Sequence, residues 1–113
     1  MSLDVDLDVN VCPHCGRSDE GFSANITHNL NDMAEEAGIY EIVWRPEQHG
    51  IKKAKQLIGP LRLAIAEMEA DPERFRKHNS PNGWGLYKHF MPWLKEYLAA
   101  CERLPDSNVS VSR

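Results

Sequence analysis

The sequence predicts an α+β domain: a small antiparallel sheet, made of an N-terminal hairpin and a C-terminal strand, packed against three to five helices. Three observations carry that expectation. Leu3, Val5, Leu7, Val9 and Val11 alternate with Asp4, Asp6, Asp8 and Asn10, the period-two pattern of a strand with one buried face. Two later stretches instead repeat apolar residues every three or four positions, as helices with one buried face do. The chain has 113 residues, 42% of them apolar and 27% charged, enough for one domain over residues 1–113 with a modest core and too few for two.

The opening strand sets its aspartates on the polar face about 7 Å apart at successive i, i+2 positions, a spacing that suits solvent better than one metal ion. A tight turn follows at residues 12–16, and residues 22–26 return as a second strand. Thr27 or Asn29 then caps a helix whose apolar stripe is Leu30, Met33, Ala34 and Ala37 and whose stop is Gly38. Residues 39–44 read equally as a short helix or a strand, ended by Arg45-Pro46. Ala54, Leu57, Ile58, Leu61, Ala64, Ile65 and Met68 define a long helix over residues 51–70, which Gly59-Pro60 must kink or split. Asp71-Pro72 reads as an N-cap followed by proline at the first helical position. After a turn cluster at residues 79–83, Leu86, Phe90, Trp93, Leu94, Tyr97, Leu98, Cys101 and Leu104 mark a C-terminal amphipathic helix, bent at Pro92. Cys101 falls on its buried stripe and reads as a small core hydrophobe. Val109 and Val111 alternate with serines and predict a closing strand that pairs with the hairpin.

The turn between the first two strands carries the strongest chemical signal. In Cys12-Pro13-His14-Cys15-Gly16 the proline stiffens the turn and the glycine permits a positive φ, so two thiolates can face one metal ion. Zinc is the expected cofactor; a redox pair and two unliganded cysteines are the alternatives. A closed zinc site needs four ligands, and there is no second Cys-x-x-Cys. His28, at the first turn of the following helix, is the expected third ligand, where the helix dipole favours a neutral imidazole. His14, His49, His78 and His89 carry no spacing that marks them. Zinc deaminases do not fit, because they need His-x-Glu upstream of Pro-Cys-x-x-Cys.

The net charge is −4 and the isoelectric point about 5.7, which disfavours duplex nucleic acid as a partner. Nine of the acids lie in residues 1–41 against Arg17 alone, while residues 42–113 hold twelve bases against eight acids. The two parts should therefore attract each other. The bases Lys52, Lys53, Lys55, Arg62, Arg74, Arg76 and Lys77 either form solvated helix faces or bind an anion or an acidic partner. No stretch approaches the ~20 apolar residues of a membrane span and no basic leader opens the chain, so a cytoplasmic protein without membrane contact is expected. Three cysteines cannot all pair, which agrees with a reducing compartment.

Polar residues crowd at three element ends: residues 25–29, Tyr40 with Trp44-Arg45-Pro46, and residues 79–85. From them a ligand pocket is expected, lined by His28, Asn29, Tyr40, Trp44, Arg45, Asn82 and Trp84. Arg45 would pair an anionic group, the tryptophans would form apolar walls and the asparagines would supply donors and acceptors. The competing reading makes these residues caps, core and turns. No nucleophile elbow, phosphate-binding loop or His-Glu-x-x-His is present, so catalytic residues are not identified.

The motifs Ile26-Thr27-His28-Asn29-Leu30, Ala37-Gly38-Ile39-Tyr40, Trp44-Arg45-Pro46 and Asn82-Gly83-Trp84-Gly85, with the ending Val111-Ser112-Arg113, resemble a family of small uncharacterised proteins of bacteria and their phages. The resemblance implies an accessory role, such as sequestering a small signalling molecule or blocking a host protein. The expectation is a zinc-binding module with a pocket for a small anionic or nucleotide-like ligand. Its rivals are a small zinc-dependent hydrolase, in which Cys12, Cys15 and His28 leave one position for water, and a protein-interaction module.

Overall fold

The computed structural model describes residues 2–12, 17–79, 83 and 85–112, with side chains at 10–12 and 17–20 excepted. Strand β1 (Ser2–Cys12) pairs antiparallel with β2 (Arg17–Thr27), and β3 (Asn108–Ser112) pairs antiparallel with the other edge of β1, giving the order β2-β1-β3. Alternation decides which face is buried. Leu3, Val5 and Leu7 are fully buried and lie opposite Ile26, Ala24 and Phe22, whereas Asp4 and Asp6 lie opposite Asn25 and Ser23 on the outer face.

β2 is longer than the apolar pattern at 22–26 implied. Backbone pairing with a long β1 carries it back to Arg17, and pairing of this kind needs no alternation of side chains. The register slips where Leu7 opposite Phe22 is followed by Asp8 opposite Glu20, leaving Gly21 as the extra residue of a β-bulge. A side chain there would meet Leu104 Cδ1 at 2.7 Å and Val9 Cγ2 at 2.8 Å, so Gly21 lets the strand lie against the end of the last helix.

Of the two possible caps it is Thr27 that serves: its Oγ1 accepts the Asn29 N–H at 3.3 Å and opens a 3-10 turn, His28–Leu30. Helix α1 (Asn31–Glu36) follows and buries Met33 and Ala34, and Gly38 with φ 76° ends the segment. Residues 39–44 resolve as helix, α2 (Tyr40–Trp44), because Val43 and Trp44 both enter the core. Helix α3 (Lys55–Ala70) contains Pro60 near its start and is not split there. Its predicted first turn is something else: residues 52–54 cover β3, with the Val109 N–H donating to the Lys52 carbonyl at 2.9 Å and the Ala54 N–H to that of Ser107 at 3.1 Å. Asp71 precedes α4 (Pro72–Arg76) as expected, although its side chain makes no cap hydrogen bond. Helix α5 (Tyr87–Arg103) contains Pro92 and buries Phe90, Met91, Trp93, Leu94, Tyr97, Ala100 and Cys101. Sheet and helices share one apolar cluster.

The charge asymmetry is used internally at Glu36, while the pairs made by Arg62, by Arg76 and by Arg74 with Glu67 lie within residues 42–113. Glu36 of α1 meets Arg74 Nε at 3.4 Å, Lys77 Nζ at 3.2 Å and His78 Nε2 at 3.3 Å. Arg62 pairs with Glu102, Arg76 with Glu73, and Arg74 also with Glu67. The basic run is thus largely matched by neighbouring acids. Hydrogen bonding to His78 and Lys77, with the charges of Lys77 and Arg74, holds the Glu36 carboxyl below the usual carboxylate range. Such a group binds protons more tightly in the unfolded chain. Its contribution is therefore complete above the ordinary carboxylate pKa and is lost as pH falls through the lower folded-state value. Glu36→Gln should narrow the stability gap to the parent as urea melts are taken from about pH 6 down to pH 2; a gap independent of pH would contradict this.

Candidate functional site

At the open end of the hairpin, where Ser2 pairs with Thr27, lies a cleft of about 750 Å³ lined by Ser2, Asn25, Ile26, Thr27, Asn29, Leu30, Gly83, Gly85 and His89. Among the described residues four pieces of chain build it, the first being the start of β1 with Ser2. The end of β2 and its 3-10 turn give Asn25, Thr27 and Asn29; the segment before α5 gives Gly83 and Gly85; the first turn of α5 gives exposed His89. The glycines are a local necessity. Gly83 and Gly85 have φ of 80° and 104°, a region that side chains disfavour. A Cβ on Gly85 would also stand 2.9 Å from Asn29 Cβ.

Within the cleft Asn25 is held by its amide nitrogen, which donates to Ser2 Oγ at 2.9 Å and Asp4 Oδ1 at 2.7 Å. Asn79 lies behind the site: its Oδ1 accepts the Tyr87 N–H at 2.8 Å and fixes the start of α5. The lining is mostly neutral hydrogen-bonding groups, and His89 is the one titratable side chain among the described lining residues.

Two of the three polar clusters therefore converge, and the third does not join them. Asn29 lines the cleft as expected. Asn82 and Trp84, which flank Gly83, lie outside the described residues. Trp44 is no pocket wall: it is 1% exposed, stacks on Tyr40 at 5.5 Å and meets Phe90 edge-on at 6.4 Å. Its indole N–H donates to His28 Nδ1 at 2.9 Å, so His28 turns toward the core tryptophan and is absent from the cleft lining. Arg45 is engaged by the Tyr40 hydroxyl, and with Glu41 and Glu47 nearby its pKa is pushed further up. Tyr40 borders a separate small recess with Glu35, Gly38 and Glu41. The interior claims Trp44 because its large apolar ring packs against Tyr40 and Phe90. His89 was missed because one histidine inside a helical repeat carries no spacing signal.

The metal ligands separate as well. Cys12 lies opposite Arg17 and Ser2 opposite Thr27, so ten residues of strand, about 33 Å at ~3.3 Å per residue, stand between Cys12 and the end where His28 sits. Cys12 and His28 thus stand at opposite ends of one hairpin, and the strands do not bring these two residues together. Cys15 and its turn, with the Cys12 side chain, lie outside the described residues. Among the described residues no group of three or more His, Cys, Asp or Glu could hold a metal ion.

Cys101 is fully buried, and burial pushes its thiol up to about 12. A thiol kept protonated in this way is inert to alkylation. At pH 8 iodoacetamide should label Cys101 only in denaturant, as mass spectrometry of peptides would show; rapid labelling in buffer would mean the α5 stripe opens.

No family model, no curated protein and no solved structure matches the chain. Among the described residues no helix is long and apolar enough to cross a membrane.

Proposed function

We propose that the chain is a small binding module with two separate sites: the cleft between β2 and α5 for a small polar ligand, anionic or nucleotide-like, and the Cys12/Cys15 turn for zinc. The observation that carries the first is the convergence of Asn25, Thr27, Asn29 and His89 on one cleft of about 750 Å³, within the size range of small-molecule sites. Asn25 offers its amide oxygen, its two amide hydrogens being donated to Ser2 and Asp4, Asn29 an amide, Thr27 a hydroxyl and His89 an imidazole, a set suited to bases, sugars or phosphates. With Arg45 engaged elsewhere, His89 takes over as the group that meets a negative charge. The zinc reading rests on the residue spacing in Cys12-Pro13-His14-Cys15-Gly16. A hydrolase built on Cys12, Cys15 and His28 is less favoured, because Cys12 and His28 stand at opposite ends of the hairpin.

Native mass spectrometry of the purified protein, followed by dialysis against a nucleotide and phosphate-ester panel, tests the cleft. Binding that His89→Ala or Asn29→Ala weakens about tenfold or more, with melting temperature nearly unchanged, is the expected result. Retention unaffected by both substitutions, or displaced by Arg45→Ala alone, would move the site away from this cleft.

A further inference from the structure

We infer that the anionic group taken by the cleft is the terminal carboxylate of an extended peptide, which lies along the free edge of β2 as a fourth strand; this rests on the cleft reading above and names the class of its ligand. The two edges of the sheet differ. β3 is covered at its start, where Lys53 bridges Asn108 and the Val109 N–H donates to the Lys52 carbonyl. β2 pairs with β1 on one side, and among the described residues no backbone group outside the sheet bonds to residues 22–26. From Phe22 to Thr27 its register with β1 is unbroken, a run of about 17 Å. That run holds no charge, proline or glycine, the devices that blunt an exposed edge. It also ends in the cleft, because Asn25, Ile26 and Thr27 are among the lining residues. Edge and cleft therefore form one continuous surface, with main-chain hydrogen bonds on offer along the strand and a pocket at its end.

The side chains along this surface define the occupant. No carboxylate lines the cleft among the described residues, and His89 stands there on the first turn of the 17-residue α5, where the positive end of the helix dipole favours an anion. β2 runs toward the cleft, so a chain laid parallel to it brings its C-terminus to His89. On the inner side Phe22 and Ala24 are partly buried at the rim of the core, and apolar residues of the peptide extend the core over them. On the outer side Ser23 and Asn25 are exposed and lie opposite Asp6 and Asp4. Among the described residues no lysine, arginine or histidine pairs with Asp4, Asp6 or Asp8. The added strand stands two strand spacings from β1, about 10 Å, and lysine or arginine spans that distance over the short side chains between. The partner is thus a peptide with a free C-terminus, preceded by alternating basic and apolar residues.

The probe is a six-residue peptide alternating lysine and valine, with a fluorophore at its N-terminus and a free carboxylate on its last valine, titrated into the full chain by fluorescence polarisation. The free acid should bind about tenfold or more tighter than the C-terminal amide, and than a version with glutamate in place of lysine. His89→Ala should erase the preference for acid over amide and keep that for lysine over glutamate, whereas Asp6→Asn should reduce the second and spare the first. Amide exchange should slow at residues 22–26 on binding and stay unchanged in β3. Equal binding of acid and amide, with no slowing at residues 22–26, would mean a basic peptide adhering to the aspartates and would overturn the fourth strand. So would a doubled mass with residues 22–26 protected in the absence of peptide, which would give the edge to a second copy. No binding of the probe, with nucleotides or phosphate esters still held, would overturn the peptide and leave the cleft reading standing; binding of neither would remove both.

Discussion

Trp44→Ala is expected to destabilise the fold by about 3–5 kcal/mol, a loss of roughly 10–20 °C in melting temperature for a domain of this size. Trp44 is 1% exposed and belongs to the central cluster, so truncation leaves a cavity between α2 and α5 where Tyr40 and Phe90 now contact the ring. The substitution also strips His28 Nδ1 of its donor. Trp44→Phe keeps an aromatic ring but loses the N–H together with part of the indole, so its cost should exceed the ~1 kcal/mol of the hydrogen bond alone and stay below the alanine loss. Chemical denaturation of both variants checks this. A small effect of the alanine change on stability, accompanied by loss of a bound ligand, would return Trp44 to a binding wall.

Gly85→Ala should damage the cleft more than any other single methyl group. The backbone at φ 104° resists a side chain at about 1–3 kcal/mol. The added carbon would also lie 2.9 Å from Asn29 Cβ and 3.3 Å from the Asn29 carbonyl carbon, and relieving that overlap costs about 1–3 kcal/mol more. Gly38→Ala is the matched control, since its φ is 76° but nothing lies within 4 Å of the new carbon. Gly38→Ala should lower stability by the backbone cost alone and spare ligand binding, whereas Gly85→Ala should displace Asn29 and reduce binding sharply. Equal losses in stability and binding for the two variants would show that the contact with Asn29 constrains nothing.

The site was only half legible in the residues. The clusters at 25–29 and 79–85 could be picked out because asparagines and glycines at element ends exceed what a core requires, and they do meet, through Gly85 packed on Asn29. Trp44 and Arg45 have the same residue types that line pockets, but a tryptophan in a five-residue helix beside Val43 is drawn inward by its large apolar area. Arg45 then follows the backbone to Tyr40. His28 illustrates the limit of closeness in sequence. Sixteen positions separate it from Cys12, yet an antiparallel hairpin places residues that far beyond the turn at the far end of a long strand.

By itself the sequence determined the α+β class, the alternation that buries Leu3, Val5 and Leu7, the helices over α3 and α5, the place of Cys101 in the core, and the pairing of the closing strand with the hairpin. These follow from periodicity and turn chemistry, which act over a few residues. Only the tertiary structure decided how far the hairpin runs, which polar clusters share a cleft, where His28 and Trp44 face, and that His89 belongs to the site. Those depend on strand register and on which apolar surfaces meet across the core. Both are settled by the whole chain packing at once, because a short stretch of sequence carries no record of the partner it will lie against.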